Sequence, residues 1–335
     1  MNSTGKIIVL AYPDTFVQVT EEWICKFLPL LGLGTREYIK AGHAAMVLVE
    51  NESGNAHYYD FGRYVTPEGY GRVRGANTDV ELEIPFKAIL TSDNSLENLE
   101  EFLLWLDANP QKTHGEGRLL ASVCDVVDYD IANTHIISLQ GRGSVRYGAF
   151  SKAESNCSRF VTDTLLAATK EREMRKALKF NKLFTPSTIG NVEKAATTAI
   201  VFQVVDGVIS EFNSSAFKEN LKNYFHKNRP KKEENNLPEL PKNAQELRGI
   251  GSSAWFELLP EELPLNHFRI KRYNELHRID FDGVFKTYES FDDKHPFEFT
   301  YDSHCEICHI IQGNKKIKFT VVASFSDFNS SPRVR

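Results

Sequence analysis

The feature that most constrains the fold is a charged, proline-bearing segment at residues 226–243, which divides the chain into two unlike parts. Before it, apolar residues recur at both strand and helix spacing, whereas only short strand-like runs follow it. Its composition, with clustered Lys, Glu and Asn and three prolines, is typical of a linker or a long exposed loop. We therefore predict an α+β domain at residues 1–225, a linker at 226–248 and a small antiparallel β domain at 249–335.

The composition excludes several classes of protein. The chain has 40 Lys and Arg against 45 Asp and Glu, a net charge of −5 that gives no reason to expect nucleic acid as a partner. The longest apolar candidate for a membrane helix, residues 199–209, is interrupted by Gln203 and Asp206. The apolar run at residues 7–12 is too short for a secretory signal. We expect no transmembrane segment and a cytoplasmic protein by default, with the compartment left open.

Hydrophobic spacing predicts the main elements of the N-terminal part. Buried strands are expected at residues 6–12, 43–50 and 56–61, the last two joined as a hairpin by turn residues 51–55. Amphipathic spacing predicts helices over 16–33 and 96–106, and a helix that begins at Cys157 and continues to 175. We also expect a half-exposed strand at 80–85, a strand and loop over 129–150, and further helix through 192–225.

The C-terminal part is predicted to be all β. Short runs of strand-forming residues occur at 268–273, 277–281, 297–301, 309–312 and 317–322. Gly313 and Asn314 separate the last two runs and indicate a hairpin turn.

The strongest candidate site combines a cysteine, Cys157, with a histidine, His43. A polar residue on the strand that follows the His43 strand completes it. Cys157 opens a predicted helix, where the partial positive charge of the N-terminus favours a thiolate. An imidazole beside the thiol can take its proton, and a third polar group then fixes the orientation of the ring. Asp60 and His57 lie three positions apart on one strand and therefore point to opposite faces. We favour Asp60 because a carboxylate also stabilises an imidazolium, but strand parity alone leaves His57 open.

Three short motifs around these residues resemble one family. Gly42-His43 opens an apolar strand, Tyr59-Asp60-Phe61-Gly62 ends the next strand, and the third motif opens the helix, Asn156-Cys157-Ser158-Arg159-Phe160-Val161. Together they resemble the circularly permuted NlpC-type papain-like cysteine peptidases and amidases, which have the lecithin:retinol acyltransferase-like enzymes as relatives. As in that permuted group, the histidine strand precedes the cysteine helix. The resemblance covers the layout of residues 1–225, and the C-terminal domain lies outside it.

The resemblance implies a permuted papain-like domain with an antiparallel sheet and helices, in which Cys157 is the nucleophile, His43 the base and Asp60 the orienting group. It implies a cysteine hydrolase that cleaves an amide bond in a peptide or cell-wall-type substrate, with backbone N–H groups near Cys157 binding the oxyanion. Two alternatives stay open: an acyltransferase, thioesterase or phospholipase of the lecithin:retinol acyltransferase-like type, and a catalytically silent binding module. We expect a peptide or acyl-type small substrate and no cofactor, and the oligomeric state is left open.

A second motif has the spacing of haem or zinc ligands: His304-Cys305-Glu306-Ile307-Cys308-His309. In a predicted strand Cys305 and Cys308 would face opposite sides, and the chain has no second cysteine pair. We therefore predict no metal or cofactor there. The other cysteines, Cys25 and Cys124, are expected in the core.

Two glycine-rich segments, residues 69–75 and 141–148, do not fit a phosphate-binding loop. We interpret them as flexible loops that border the substrate groove. Their four arginines are expected to be solvated, with contact to an anionic substrate group as the alternative: Arg72, Arg74, Arg142 and Arg146.

Overall fold

The computed structural model describes residues 3–227 and 237–330, which form two compact units. The first unit comprises the described residues of Met1–Gly62, Val73–Gly75 and Leu82–Lys231. The second comprises those of Arg63–Arg72, Ala76–Glu81 and Lys232–Arg335. Residues 228–236 of the predicted linker lie outside the described part of the chain.

The larger sheet has eight strands in the order β10-β9-β7-β1-β4-β5-β6-β8, and a separate ribbon pairs β2 with β3. The bounds of these strands are β1 Gly5–Tyr12, β2 Val17–Gln18, β3 Tyr38–Ile39, β4 His43–Glu50, β5 Ala56–Gly62, β6 Tyr70–Arg74, β7 Leu119–Val127, β8 Val145–Arg146, β9 Phe202–Val205 and β10 Val208–Glu211. In the centre of the sheet, β4 pairs antiparallel with β1 on one side and with β5 on the other. The hairpin predicted from residues 43–61 is therefore confirmed.

Seven α-helices accompany this sheet among the described residues. Their bounds are α1 Leu99–Asp107, α2 Pro110–Thr113, α3 Tyr129–Gln140, α4 Cys157–Ala168, α5 Arg172–Asn181, α6 Thr188–Ala195 and α7 Ala216–Tyr224, and 3-10 helices span Trp23–Leu31 and Val80–Leu82. Both faces of the central strands are covered, because Met46 packs in one core with Phe160 of α4, while its neighbour Val47 packs in another with Phe102 of α1. Burial on both faces explains why β1 and β4 read as continuous apolar runs.

The second unit contains a seven-stranded sheet in the order β11-β12-β13-β14-β17-β16-β15. The bounds are β11 Gln245–Leu247, β12 Ala254–Leu259, β13 His267–Tyr273, β14 Ile279–Lys286, β15 Glu298–Phe299, β16 Ile307–Gln312 and β17 Lys315–Ser324, and a short helix, α8, follows at Phe325–Ser330. The side chain of Gln245 bonds the backbone of Phe297 and Phe299 at 3.0 and 2.9 Å, which links the two edge strands and nearly closes a barrel. The predicted α+β class with a small C-terminal β domain is confirmed.

A buried charge cluster belongs to the second unit. The guanidinium of Arg272 contacts Asp79 at 3.0 Å, Glu81 at 2.9 Å and Asp280 at 2.9 Å. Asp79 also accepts two hydrogen bonds from Arg72, at 2.6 and 2.7 Å. Two of the three carboxylates around Arg272 thus come from a segment far away in sequence.

Two segments predicted as strand are partly helical. Residues 80–85 form a 3-10 helix at Val80–Leu82, and the apparent alternation arises because Leu82 and Ile84 are buried while the acids between them stay closer to solvent. The segment predicted as strand and loop over 129–150 begins with the helix α3 and contains the two-residue strand β8 after it. The N-terminus of α3 is capped by the side chain of Asp128, which accepts a hydrogen bond from the backbone of Ile131.

Three predicted helices differ from the structure. The helix predicted from Cys157 to residue 175 is divided into α4 and α5 at Thr169, whose backbone is extended. The segment at 16–33 is a short strand followed by a 3-10 helix, which ends at Gly32 with a φ of 81° as the glycine cluster predicts. Pro29 within it has no backbone N–H to extend an α-helical ladder. The predicted helix over 192–225 is interrupted by the hairpin of β9 and β10, whose turn residues Asp206 and Gly207 both have positive φ.

Candidate functional site

His43 is the first residue of β4 and lies opposite Tyr12 of β1. Their rings stack with centroids 6.3 Å apart and planes 22° apart, and the His43 side chain is buried. Gly42 precedes it with a φ of 78°, and a Cβ there would come within 2.9 Å of the Thr188 hydroxyl and 3.0 Å of the Tyr12 carbonyl. Glycine at this position therefore lets the chain enter β4 tightly against its neighbours.

Asp60, rather than His57, is the β5 residue that contacts His43. Asp60 lies opposite Ala45, so its side chain shares a face of the sheet with His43 two residues away. Its Oδ2 is 3.3 Å from His43 Nε2. His57 lies opposite Leu48, and its pKa is lowered by burial, an effect that the charge of Glu50 partly offsets. The structure thus brings His43 together with the residue favoured from the sequence.

Asp60 is fully buried and is held by two further side chains that the sequence analysis did not assign to the site. Arg74 of β6 donates from Nε to Oδ1 at 3.0 Å and from Nη2 to Oδ2 at 2.5 Å. The hydroxyl of Tyr58 donates to Oδ2 at 3.1 Å. Burial by itself would raise the pKa of Asp60, but the charges of Arg74 and His43 outweigh it and lower the pKa well below its usual range. Asp60 is therefore held as a carboxylate.

Cys157 is the first residue of α4, as predicted, and its side chain is a hydrogen-bond partner of the His43 ring. Since Nε2 of His43 faces Asp60, Nδ1 is the ring nitrogen left for the thiol. Burial by itself would lower the pKa of His43, but the hydrogen bonds to Asp60 and Cys157 outweigh it and raise the pKa to about 9. The three candidate residues thus form one chain of contacts, sulfur to imidazole to carboxylate.

The start of α4 is fixed by its own flanking residues. Asn156 is the N-cap, with its side-chain oxygen accepting from Arg159 N at 2.9 Å and its amide donating to the Gly148 carbonyl at 3.0 Å. The buried Arg159 side chain donates to backbone carbonyls of the preceding loop, including that of Ala149 at 3.1 Å. The carboxylate of Glu22 accepts from three successive N–H groups of the same loop, at residues 149–151. The loop beside Cys157 is therefore held from both sides.

The predicted solvation of the arginines in the two glycine-rich segments is wrong for Arg72 and Arg74. Both are buried and paired with carboxylates, Arg72 with Asp79 in the second unit and Arg74 with Asp60 in the first. Residues 70–74 form the strand β6 instead of a loop, which is why their charges are committed within the protein. Arg142 and Arg146 are exposed, as expected.

A cavity of about 270 Å³ opens beside Cys157 within the first unit. The backbone before His43 and the N-terminus of α4 form one end of it, through Gly42, Asn156, Cys157 and Ser158. Most of the remaining wall is apolar and includes Val17, Val19, Leu28, Leu33, Ile39 and Ala41.

The other four cysteines are buried. Cys25 lines the cavity beside Cys157, whereas Cys124, Cys305 and Cys308 do not. Cys124 belongs to the core beneath α4, and burial raises its pKa to about 12. Cys305 and Cys308 lie in the second unit, where burial raises the pKa of both thiols. Among residues 3–227 and 237–330, no group of three or more His, Cys, Asp or Glu side chains is arranged to hold a metal ion. No helix in these residues is both long and apolar enough to cross a membrane.

The fold and the site define an α+β protein with a Cys-His-Asp arrangement at the start of a helix. Residues 7–174 match the family described as Type VI secretion system effector TseH-like. Because this match spans half of the chain, the protein belongs to the TseH-like family of type VI secretion system effectors. Residues 244–322, within the second unit, match the family described as DUF6695 C-terminal domain.

Among solved structures, the chain is similar to the crystal structure of the type VI secretion system effector TseH. The two share 18% identity with a TM-score of 0.42, and the match covers 63% of this chain and 99% of that one. A comparison with curated proteins gives no match.

Proposed function

We propose that the protein is a cysteine hydrolase that cleaves an amide bond in a peptide or cell-wall-type substrate. The observation that carries the proposal is the buried chain of contacts from Cys157 through His43 to Asp60. A thiolate is a strong nucleophile, and an imidazolium beside it both stabilises that thiolate and supplies a proton to the leaving group. Asp60, fixed by Arg74, would hold the ring and stabilise its charged form.

In the first half of the reaction, Sγ of Cys157 attacks the carbonyl carbon and forms a C–S bond. The C–N bond breaks, and the leaving amine takes the proton of the His43 imidazolium. In the second half, His43 takes a proton from water while the oxygen of that water attacks the thioester carbon. The C–S bond then breaks, so that the acid leaves and the thiolate and imidazolium are restored. The net reaction converts one amide and one water molecule into one amine and one carboxylic acid.

The developing oxyanion needs donors beside the sulfur. The first N–H groups of an α-helix have no partner within the helix, and the macrodipole adds partial positive charge at this end. Asn156 already caps the N–H of Arg159, so the N–H of Cys157 itself is the nearest donor of this kind. The tightly held loop before α4 supports this assignment, because a preorganised donor does not have to reorient during the reaction.

The family adds a biological setting to this chemistry. Because the family consists of type VI secretion system effectors, we propose that the protein acts as an effector on a component of a target cell. The permuted papain-like interpretation belongs to the same proposal. It is supported by the order in the chain, in which the histidine strand β4 precedes the cysteine helix α4.

The test measures how fast iodoacetamide alkylates Cys157 at pH 7 in the full chain, with the modified residue located by peptide mass spectrometry. His43→Ala should slow alkylation about tenfold or more, because an unassisted thiol is only a few per cent ionised at this pH. His57→Ala is the matched control, since it removes a histidine from the paired strand outside the site, and it should leave the rate unchanged.

A rate that does not depend on His43 would contradict the proposed pair and favour the silent binding module. Where the pair is confirmed, release of an amine from amide substrates should fall by about 10³-fold or more in Cys157→Ser. Ester or thioester turnover without amide turnover would instead support the acyltransferase or thioesterase alternative.

A further inference from the structure

Apart from the thiolate proposed for Cys157, the described wall of the cavity carries no charged group. Among the described residues that line it, there is no Asp, Glu, Lys, Arg or His. Moving a charged group from water into such a site is costly unless a partner compensates it. The cavity therefore selects against a substrate group that carries a carboxylate or an ammonium ion.

Several polar side chains on the wall are already engaged within the protein. The Thr20 hydroxyl donates to Glu22 at 2.8 Å, Asn156 caps α4, and the Ser158 hydroxyl accepts from Asn191 at 3.0 Å. These groups are satisfied without a ligand, so they do not call for a strongly polar occupant. What the wall offers is mainly hydrocarbon surface.

Thr188 is the polar residue of the described wall whose buried hydroxyl has no hydrogen-bond partner. It is the first residue of α6, and it is 4% exposed. An unsatisfied buried hydroxyl is expensive, and a bound ligand is one way to satisfy it. A Cβ at Gly42 would lie 2.9 Å from this oxygen, so the hydroxyl is at the end of the cavity next to His43. Thr188 also lines the cavity, so a rotation of its side chain would turn this hydroxyl toward the polar head of a substrate whose chain fills the rest of the cavity.

We propose that this cavity binds the acyl side of the substrate as an uncharged, apolar chain, with the Thr188 hydroxyl bonded to a polar atom at its head. The inference rests on the proposed function, because it places the scissile carbonyl at Cys157. It narrows the substrate class to amides whose carbonyl carries an aliphatic chain. In the acyl-enzyme, that chain stays in the cavity while its carbonyl carbon is bonded to Sγ of Cys157.

The experiment uses the full chain and measures how neutral alkanamides protect Cys157 from iodoacetamide. From acetamide to octanamide, binding should tighten about fourfold per methylene until the cavity is full, which corresponds to about 0.8 kcal/mol for each buried methylene. 6-Aminohexanamide should bind at least about tenfold more weakly than hexanamide, because its chain ends in an ammonium ion.

Two variants distinguish the contribution of the apolar cavity wall from that of the Thr188 hydroxyl, and a third serves as a control. Ala41→Leu fills part of the cavity and should flatten the dependence on chain length, whereas Ala108→Leu, at an exposed alanine after α1, should leave it unchanged. Thr188→Val keeps the shape of the side chain and should weaken all the alkanamides by a similar factor of roughly 2 to 10, with the dependence on chain length retained.

The outcomes distinguish this inference from the proposed function. The proposal that the cavity binds an apolar acyl chain is wrong if protection shows no dependence on chain length, or if 6-aminohexanamide protects as well as hexanamide. Either result counts against it even where alkylation still depends on His43. If His43→Ala leaves alkylation unchanged, the proposed hydrolase is wrong, yet the protection series still measures what the cavity binds.

Discussion

Arg74 determines whether Asp60 can remain a buried carboxylate. Asp60 has no exposed surface, and its two oxygens accept three hydrogen bonds from Arg74 and Tyr58 in addition to the contact with His43. Arginine suits this position because its planar guanidinium meets both oxygens at once, which lysine cannot do.

We expect Arg74→Ala to lower the free energy of unfolding by about 3–5 kcal/mol, because it leaves a buried carboxylate without its main compensating charge. Arg74→Lys should cost less, since it restores the charge without the two-pronged contact. Urea unfolding of the full chain measures both values. Arg142→Ala, at an exposed arginine, should change the stability by no more than about 0.5 kcal/mol. An equally small change in Arg74→Ala would contradict the assigned role.

The residues of the site divide into those that local sequence could predict and those that it could not. The position of Cys157 at a helix N-terminus could be predicted, because a polar cap followed by apolar residues at helical spacing indicates the start of a helix. Residue type favoured Asp60 over His57, but strand parity left both open, and the register in which Asp60 lies opposite Ala45 decides between them. Arg74 was missed because its charge and flanking glycines are typical of a solvated loop, while its partner is 14 residues away in the chain.

Helix α4 presents the thiol, so its first turn matters more than its length. Asn156 fixes that turn by bonding the Arg159 N–H and the Gly148 carbonyl. Loss of an N-cap side chain typically frays the first turn.

Asn156→Ala should lower the free energy of unfolding by about 1 kcal/mol and also slow alkylation of Cys157, because the helix start that holds the sulfur loosens. Asp128→Ala, which removes the cap of α3, is the matched control. It should cost a similar free energy but leave the alkylation rate unchanged. If both variants slow alkylation equally, the effect is general loosening and the particular role of Asn156 is refuted.

At the level of elements, the fold was predictable where burial and periodicity agree. The runs β1 and β4 are buried throughout and read clearly as strands. Helix α3 was not predicted, because Ala132 and Ile136 are its only fully buried positions and the apolar Ile131 and Ile137 are exposed, which obscures the helical spacing. The Asp206–Gly207 turn of β9 and β10 was a local signal that the apolar residues around it concealed.

The protonation of His43 and of Asp60 affects the free energy of unfolding of the whole chain. The pKa of His43 is raised to about 9, so the folded chain binds this proton more tightly than the unfolded chain, whose histidines titrate near 6.5. The stability from this group is fully present below about pH 6.5 and is lost as the pH rises through about 9. The lowered pKa of Asp60 acts in the opposite sense: its contribution is present above about pH 4 and is lost at lower pH.

We therefore expect the free energy of unfolding of the native chain to decrease between pH 6 and pH 9. In His43→Gln the decrease over the same interval should be smaller. The comparison isolates this group from others, such as His304, whose pKa is lowered to about 4. Urea titrations at both pH values measure the difference. An identical pH dependence in the two proteins would show that His43 does not hold its proton in the folded state.

The position of Asp79 and Glu81 in the second unit has a consequence for how this protein could have been assembled. The segment that matches a separate family, residues 244–322, contains Arg272 and Asp280 but lacks the other two carboxylates. A gene fragment that encoded only this segment would leave Arg272 with Asp280 as the one carboxylate of the three. Exchange of C-terminal modules between relatives would thus have to carry a second, distant stretch of sequence along, or replace Arg272 in the same event.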